Sequence, residues 1–83
     1  MNQAIQFPDR ESWDEQRQAV CFPAMVNGFQ LNCAISAEVL LQRFGGNSEP
    51  LAIFRQHRWD LEDQAQALIE AQQEDSQGWV WLS

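Results

Sequence analysis

The clearest hydrophobic pattern in the chain lies on either side of one dipeptide, in "AVCFPAMVNGFQLNCAIS", Ala19 to Ser36. Asn27-Gly28 separates two alternating stretches, and a two-residue type I′ turn, which needs positive φ at both central positions, favours that pair. Such a turn predicts Val26 opposite Phe29, Ala24 opposite Leu31, Phe22 opposite Cys33 and Val20 opposite Ile35. All of these fall on one face of the hairpin, as a half-buried strand pair requires. Cys21, Pro23, Met25, Gln30, Asn32 and Ala34 fall on the other. Pro23 then sits at a pair without inter-strand hydrogen bonds, its missing N–H directed away from the second strand. The proline does not harm the hairpin. It leaves the outer side of the Ala19–Val26 strand either open or paired only past Pro23.

The remaining elements follow from periodicity and end signals. "AIQFP" reads as a short first strand, and Asp9 to Gln18 as a polar surface connection whose Trp13 folds back as a lid over the core. Ser36 is a suitable N-cap for a short helix, "AEVLLQRF", with Glu38 in its first turn and Gly45-Gly46 as its stop. Pro50 restarts a helix, capped by Ser48 or Glu49. Leu51, Phe54, Leu61, Ala65 and Leu68, with Ile69 on the flank, carry it as one long helix to about Asp75. The alternative is a break near Trp59-Asp60 with Asp60 as a new N-cap. "GWVWLS" reads as a last strand, Trp79 and Trp81 on one face, Val80 and Leu82 on the other.

The expected architecture is a single α+β domain over residues 1–83. An antiparallel sheet of about four strands carries a short and a long helix on one face. The inward set is Val20, Phe22, Ala24, Val26, Phe29, Leu31, Cys33 and Ile35 from the sheet. The helices add Leu40, Leu41, Phe44, Leu51, Phe54, Leu61, Ala65 and Leu68. A chain this short buries only roughly 60% of its unfolded surface, so self-association would help it.

Charge narrows the function classes. The chain carries a net charge of −7 and no lysine, its 5 cations being Arg10, Arg17, Arg43, Arg55 and Arg58. Nucleic acid is disfavoured as a partner, because a binder needs positive charge to displace counterions from phosphates. Anionic membrane surfaces are disfavoured for the same reason. No apolar run approaches the roughly 18 residues of a membrane span. The start "MNQAIQFPDRE" has neither a basic region nor an apolar core of a signal peptide, so the cytoplasm is the expected compartment. Cys21 and Cys33, on opposite faces of the hairpin, are expected to be free thiols.

One cluster could carry chemistry: "FRQHRWDLE", Phe54 to Glu62. On a helix, His57 and Arg58 flank the apolar stripe, while Arg55 and Trp59 share the opposite side at a spacing that permits a cation–π contact. The functional reading is a basic-aromatic patch for a phosphate, a carboxylate or an acidic partner. The structural alternative buries the stems of His57 and Arg58 and bonds their heads to sheet ends or to the Asp9–Gln18 connection. His57 has no partner at metal-ligand spacing, so no metal or other cofactor is expected. An enzyme acting through Cys21 or His57 is the weakest reading, since nothing specifically joins the two. The 4 tryptophans exceed what so small an interior can take beside 5 phenylalanines. Tryptophan is enriched where proteins meet.

The expected role is therefore non-enzymatic protein interaction, with a partner or with a second copy. Trp13, Trp59, Trp79 and Trp81 are its candidate contacts, with Arg55, His57, Arg58 and the edge at Pro23. The alternative is a small regulator touching nucleic acid through Arg43, Arg55 and Arg58.

Four of these stretches, "IQFPDRESWD", "VCFPAMVNGFQLNCAIS", "FRQHRWDLE" and "GWVWLS", recur in order in a family that the chain resembles over nearly its whole length. It is similar to the short bacterial proteins of domain-of-unknown-function family 1488. The resemblance implies a small cytoplasmic α+β protein. It implies no activity and no catalytic residues.

Overall fold

A computed structural model describes residues 5–46 and 49–83. The chain runs β1 (Ile5–Gln6), β2 (Ser12–Asp14), β3 (Ala19–Val26), β4 (Phe29–Ser36), α1 (Ala37–Phe44), α2 (Pro50–Gln56), α3 (Arg58–Glu70) and β5 (Trp79–Leu82). The fold is α+β, with a mostly antiparallel sheet. The hairpin has the register set by its turn, from Val26 opposite Phe29 to Ala19 opposite Ser36. Asn27 and Gly28 adopt φ 52° and 86°, the left-handed pair of a type I′ turn.

The sheet differs from the expected one in two respects. The Asp9–Gln18 connection contains a strand: β2 pairs antiparallel with β3, Trp13 opposite Val20. β5 lies parallel to β4, Cys33 opposite Val80 and Ile35 opposite Leu82. A parallel neighbour needs a long crossover, and the three helices between β4 and β5 supply it. Strand β4 is thereby central and β5 is an edge.

The outer side of β3 answers the question raised by Pro23. β1 pairs with Met25 and Val26, and β2 with Ala19 to Cys21, leaving Phe22 to Ala24 between them. The residue whose outward N–H would find no strand partner is the one that has no N–H. The edge at Pro23 is consequently a gap of three residues flanked by strands, not an open edge.

The helical layer is shorter in its pieces than periodicity implied. Ser36 caps α1 as expected, its Oγ accepting from the Val39 N–H at 3.1 Å. Of the two caps expected for the next helix, Ser48 lies outside the described residues. Glu49 occupies the cap position without a side-chain bond, and Pro50 follows as the first helical residue.

The expected continuous helix is broken at His57 (φ −113°, ψ 24°), three residues before Asp60, which lies instead in the first turn of α3. Backbone bonding survives the break. The His57 N–H donates to Ile53 and Phe54 carbonyls, and its own carbonyl accepts from Leu61. On either side of the break, α2 packs on β3 and α3 on β5. Helix α3 stops at Glu70, short of Asp75. Gln72 turns to φ 57° and the Gln73 N–H closes back on the Leu68 carbonyl, a Schellman ending built without glycine.

Sheet and helices share one apolar core. Val20, Phe22, Ala24, Cys33, Ile35, Leu40, Phe54, Leu61 and Ala65 are buried, as expected, and Ile53, Ile69, Val80 and Leu82 join them. Val26, Leu31, Phe44, Leu51 and Leu68 pack against its rim. Two expected members are exposed: Phe29 at 76% and Leu41 at 47%. An eight-residue strand is about 26 Å long, and burial of the hairpin ends at Ala24 and Cys33, so its tip stands clear of the helices.

Candidate functional site

Two groups of side chains were singled out by the sequence, and the fold places them on opposite sides of the sheet. The first surrounds the break between α2 and α3. Arg55 and Arg58 both turn to Glu11, on the stretch leading into β2. Arg55 Nε lies 2.8 Å from one Glu11 oxygen and Arg58 Nη2 bonds the other. Arg58 also reaches Asp9 at 3.2 Å and Glu62 at 3.5 Å, and its guanidinium lies 5.3 Å above the Phe54 ring. Burial opposes the charge on Glu11, but hydrogen bonds from Arg55 and Arg58 outweigh it and hold the carboxyl at about 2, below its ordinary 4.5. For Glu62 burial dominates and moves the carboxyl upward.

His57 stacks flat on Phe44, ring centroids 3.8 Å apart. Arg55 bonds Glu11, and the cation–π contact with Trp59 that the spacing permits is not formed. Trp59 stands 82% exposed beside an open cavity of about 320 Å³ lined by Arg55, His57, Arg58 and Asp60. Its two arginines are already engaged by carboxylates. Arg43 is likewise engaged, by Gln64 and by the Ser83 carbonyl.

The second group lies on the sheet face that carries no helix. Alternation along β5 sends Val80 and Leu82 into the core and Trp79 and Trp81 to this face, their rings 6.3 Å apart. Trp81 is 39% exposed. Cys21, Pro23 and Met25 share the face, half-buried. Ala34, flanked in register by Cys21 and Trp81, is fully buried, although no helix covers it.

Arg17, on the turn between β2 and β3, lays its guanidinium 4.3 Å above the Trp79 ring and bonds Asp14 at 2.9 Å. Asp75 borders the same place. Its Oδ1 accepts from the Gln77 and Trp79 N–H groups at 2.9 Å each. Backbone and side-chain bonds from Arg17 lower the Asp14 carboxyl, and the Trp79 N–H does the same for Asp75.

Sequence reasoning named the two tryptophans and missed Arg17, Asp14 and Asp75. Asp14 and Arg17 pair locally at three-residue spacing, but the contact of Arg17 with Trp79 depends on β5 lying beside β4, which no local pattern encodes. Trp13 belongs to neither group. It sits half-buried against the core from β2, its indole N–H donating to Glu15 at 2.8 Å.

The thiols offer little chemistry. Burial pushes Cys33 up to about 12, and burial followed by the charge of Asp14 raises Cys21. Both are free. Among the described residues no group of three or more histidine, cysteine or acidic side chains could hold a metal. Among the described residues no helix is long and apolar enough to cross a membrane.

Fold and surface together define a small α+β protein with one face of its sheet packed and the other bare. The family profile described as "Protein of unknown function (DUF1488)" matches residues 5–82, and the chain belongs to that family. It is 67% identical over 84 residues to the uncharacterized protein YrdB of Escherichia coli (strain K12), covering 99% of both chains. The protein of the same name from Shigella flexneri matches equally, 67% identical with 99% of each covered. A crystal structure of a protein of unknown function from this family, from Shewanella loihica PV-4, superposes with a TM-score of 0.92. The two are 35% identical, and the match covers 99% of this chain and 94% of that one.

Proposed function

We propose that the protein is a non-enzymatic binding module of the bacterial cytoplasm that docks another protein on the bare face of its sheet, around Trp79 and Trp81. One observation carries the reading: an edge strand presents two neighbouring indoles on a face that no helix of the described residues covers. Large aromatics in such a position contribute most to protein interfaces. Trp59, though more exposed, is not among the side chains packed against the core, and scattered surface aromatics need no partner. Two observations weigh against other readings. Arg43, Arg55 and Arg58 are bonded within the chain, which leaves the nucleic-acid alternative no free cationic patch among them. Neither thiol is drawn toward the thiolate form that catalysis uses.

The test compares purified native protein with Trp81→Ala and Trp59→Ala, each shown folded by circular dichroism. Partners captured from native cells are then purified and their binding measured directly. Binding lost with Trp81→Ala and kept with Trp59→Ala supports this surface. The reverse pattern, or indifference to both changes, overturns it.

A further inference from the structure

Resting on that reading, we propose that the bare face recognises an arginine-bearing segment of its partner, whose guanidinium takes the place over Trp79 now filled by Arg17. The arrangement around Arg17 is a guanidinium seat: an indole at 4.3 Å, the Asp14 carboxylate at 2.9 Å, and the Asp75 carboxylate held next to the indole by the Trp79 N–H. A planar cation that stacks and forks matches those three groups better than an ammonium does. The net charge of −7 attracts a cationic segment and opposes a second copy of the chain.

The resident side chain is held weakly. Arg17 remains 38% exposed and makes one ion pair, of the kind that contributes little in water. It occupies the seat without closing it. Beside it, Trp81, its ring 6.3 Å from that of Trp79 and 39% exposed, offers an apolar contact for residues flanking the incoming arginine. Arg17 thus acts as a built-in competitor, and binding exchanges one stacked guanidinium for another.

The deciding experiment pans a random dodecapeptide library on the purified native protein, with counter-selection against folded Trp81→Ala and, as a milder change, Trp81→Leu. Expected are Trp81-dependent peptides enriched in arginine over lysine. For one such peptide, labelled and measured by fluorescence anisotropy, Arg17→Ala strengthens binding at least fivefold and arginine-to-lysine exchange in the peptide weakens it at least fivefold. Trp81-dependent peptides without arginine enrichment, or weaker binding by Arg17→Ala, overturn the arginine proposal and leave the docking face standing. An absence of Trp81-dependent peptides overturns both. A Trp81-dependent dimer in sedimentation assigns the face to a second copy and overturns the proposal as well.

Discussion

Two arginines in this molecule lie over aromatic rings beside carboxylates, and they are used in opposite ways. Arg58 covers Phe54 at the border of the core, bonded to Glu11, Asp9 and Glu62, its side chain 18% exposed. Arg17 covers Trp79 on the bare face with Asp14 alone as ion partner, 38% exposed. The first joins two segments distant in sequence: the approach to β2 and the junction of α2 with α3. The second joins a turn to an edge strand. Identical chemistry becomes a strut where several carboxylates and a buried ring converge, and a replaceable cover where they do not. Counting stacked arginines would not separate the two; exposure and the number of partners do.

The sharpest way to break this contrast is to remove the rings. Phe54 is fully buried, and Phe54→Ala is expected to cost about 3–5 kcal/mol, a large share of what so small a domain has. Trp79 is half-buried on the outer face, and Trp79→Ala is expected to cost about 1–2 kcal/mol. Urea denaturation of both variants measures the difference. Equal losses would mean that the bare face is as structural as the core.

The carboxylates come next. Glu11 serves Arg55 and Arg58 at once from a side chain only 8% exposed. Glu11→Gln leaves two guanidiniums short of a charge, at an expected cost of about 2–3 kcal/mol. Asp14→Asn, on the exposed pair, should move the urea midpoint far less. The same difference has a pH signature. The Glu11 carboxyl is held at about 2 in the folded protein, below the 4.5 it has when free, so its contribution is complete above that upper value. It is lost as pH falls from about 4.5 toward 2, because the unfolded chain takes up the proton first. Denaturant titrations across that window should show native stability falling, and Glu11→Gln should flatten the decline. An undiminished slope in the variant would assign the acid sensitivity to other groups.

How much of this was legible beforehand depends on the reach of the interaction. The hairpin was fully legible, because an asparagine–glycine turn and strict alternation each specify the same register. Burial of Val80 and Leu82 opposite Trp79 and Trp81 followed from alternation within one strand. The break at His57 was legible only as the alternative near Trp59-Asp60, since Phe54 and Leu61 are spaced as on one continuous helix. Exposure of Phe29 depends on how far the helical layer extends, which periodicity does not contain. The Glu11–Arg58 strut and the Arg17–Trp79 cover are contacts across 47 and 62 positions of sequence, visible only once β2 and β5 are placed. The reading that bonds the Arg58 head to the Asp9–Gln18 connection holds, through Asp9 and Glu11, but it did not name those two acids.

The finest discrimination is expected from changing arginine to lysine at each of the two positions, since this keeps charge and removes the planar fork. At Arg58 the fork bonds three carboxylates in different directions, and a single ammonium on a flexible stem cannot hold them together. Arg58→Lys is expected to cost about 1–2 kcal/mol. At Arg17 a lysine still meets Asp14 and loses only the stack on an exposed indole, so Arg17→Lys should stay within about 0.5 kcal/mol. Comparable losses at the two positions would show that the Trp79 cover is as integral to folding as the Glu11 strut. A displaceable guanidinium on the bare face would then have no energetic basis, because removing a structural support would cost more than an incoming arginine returns.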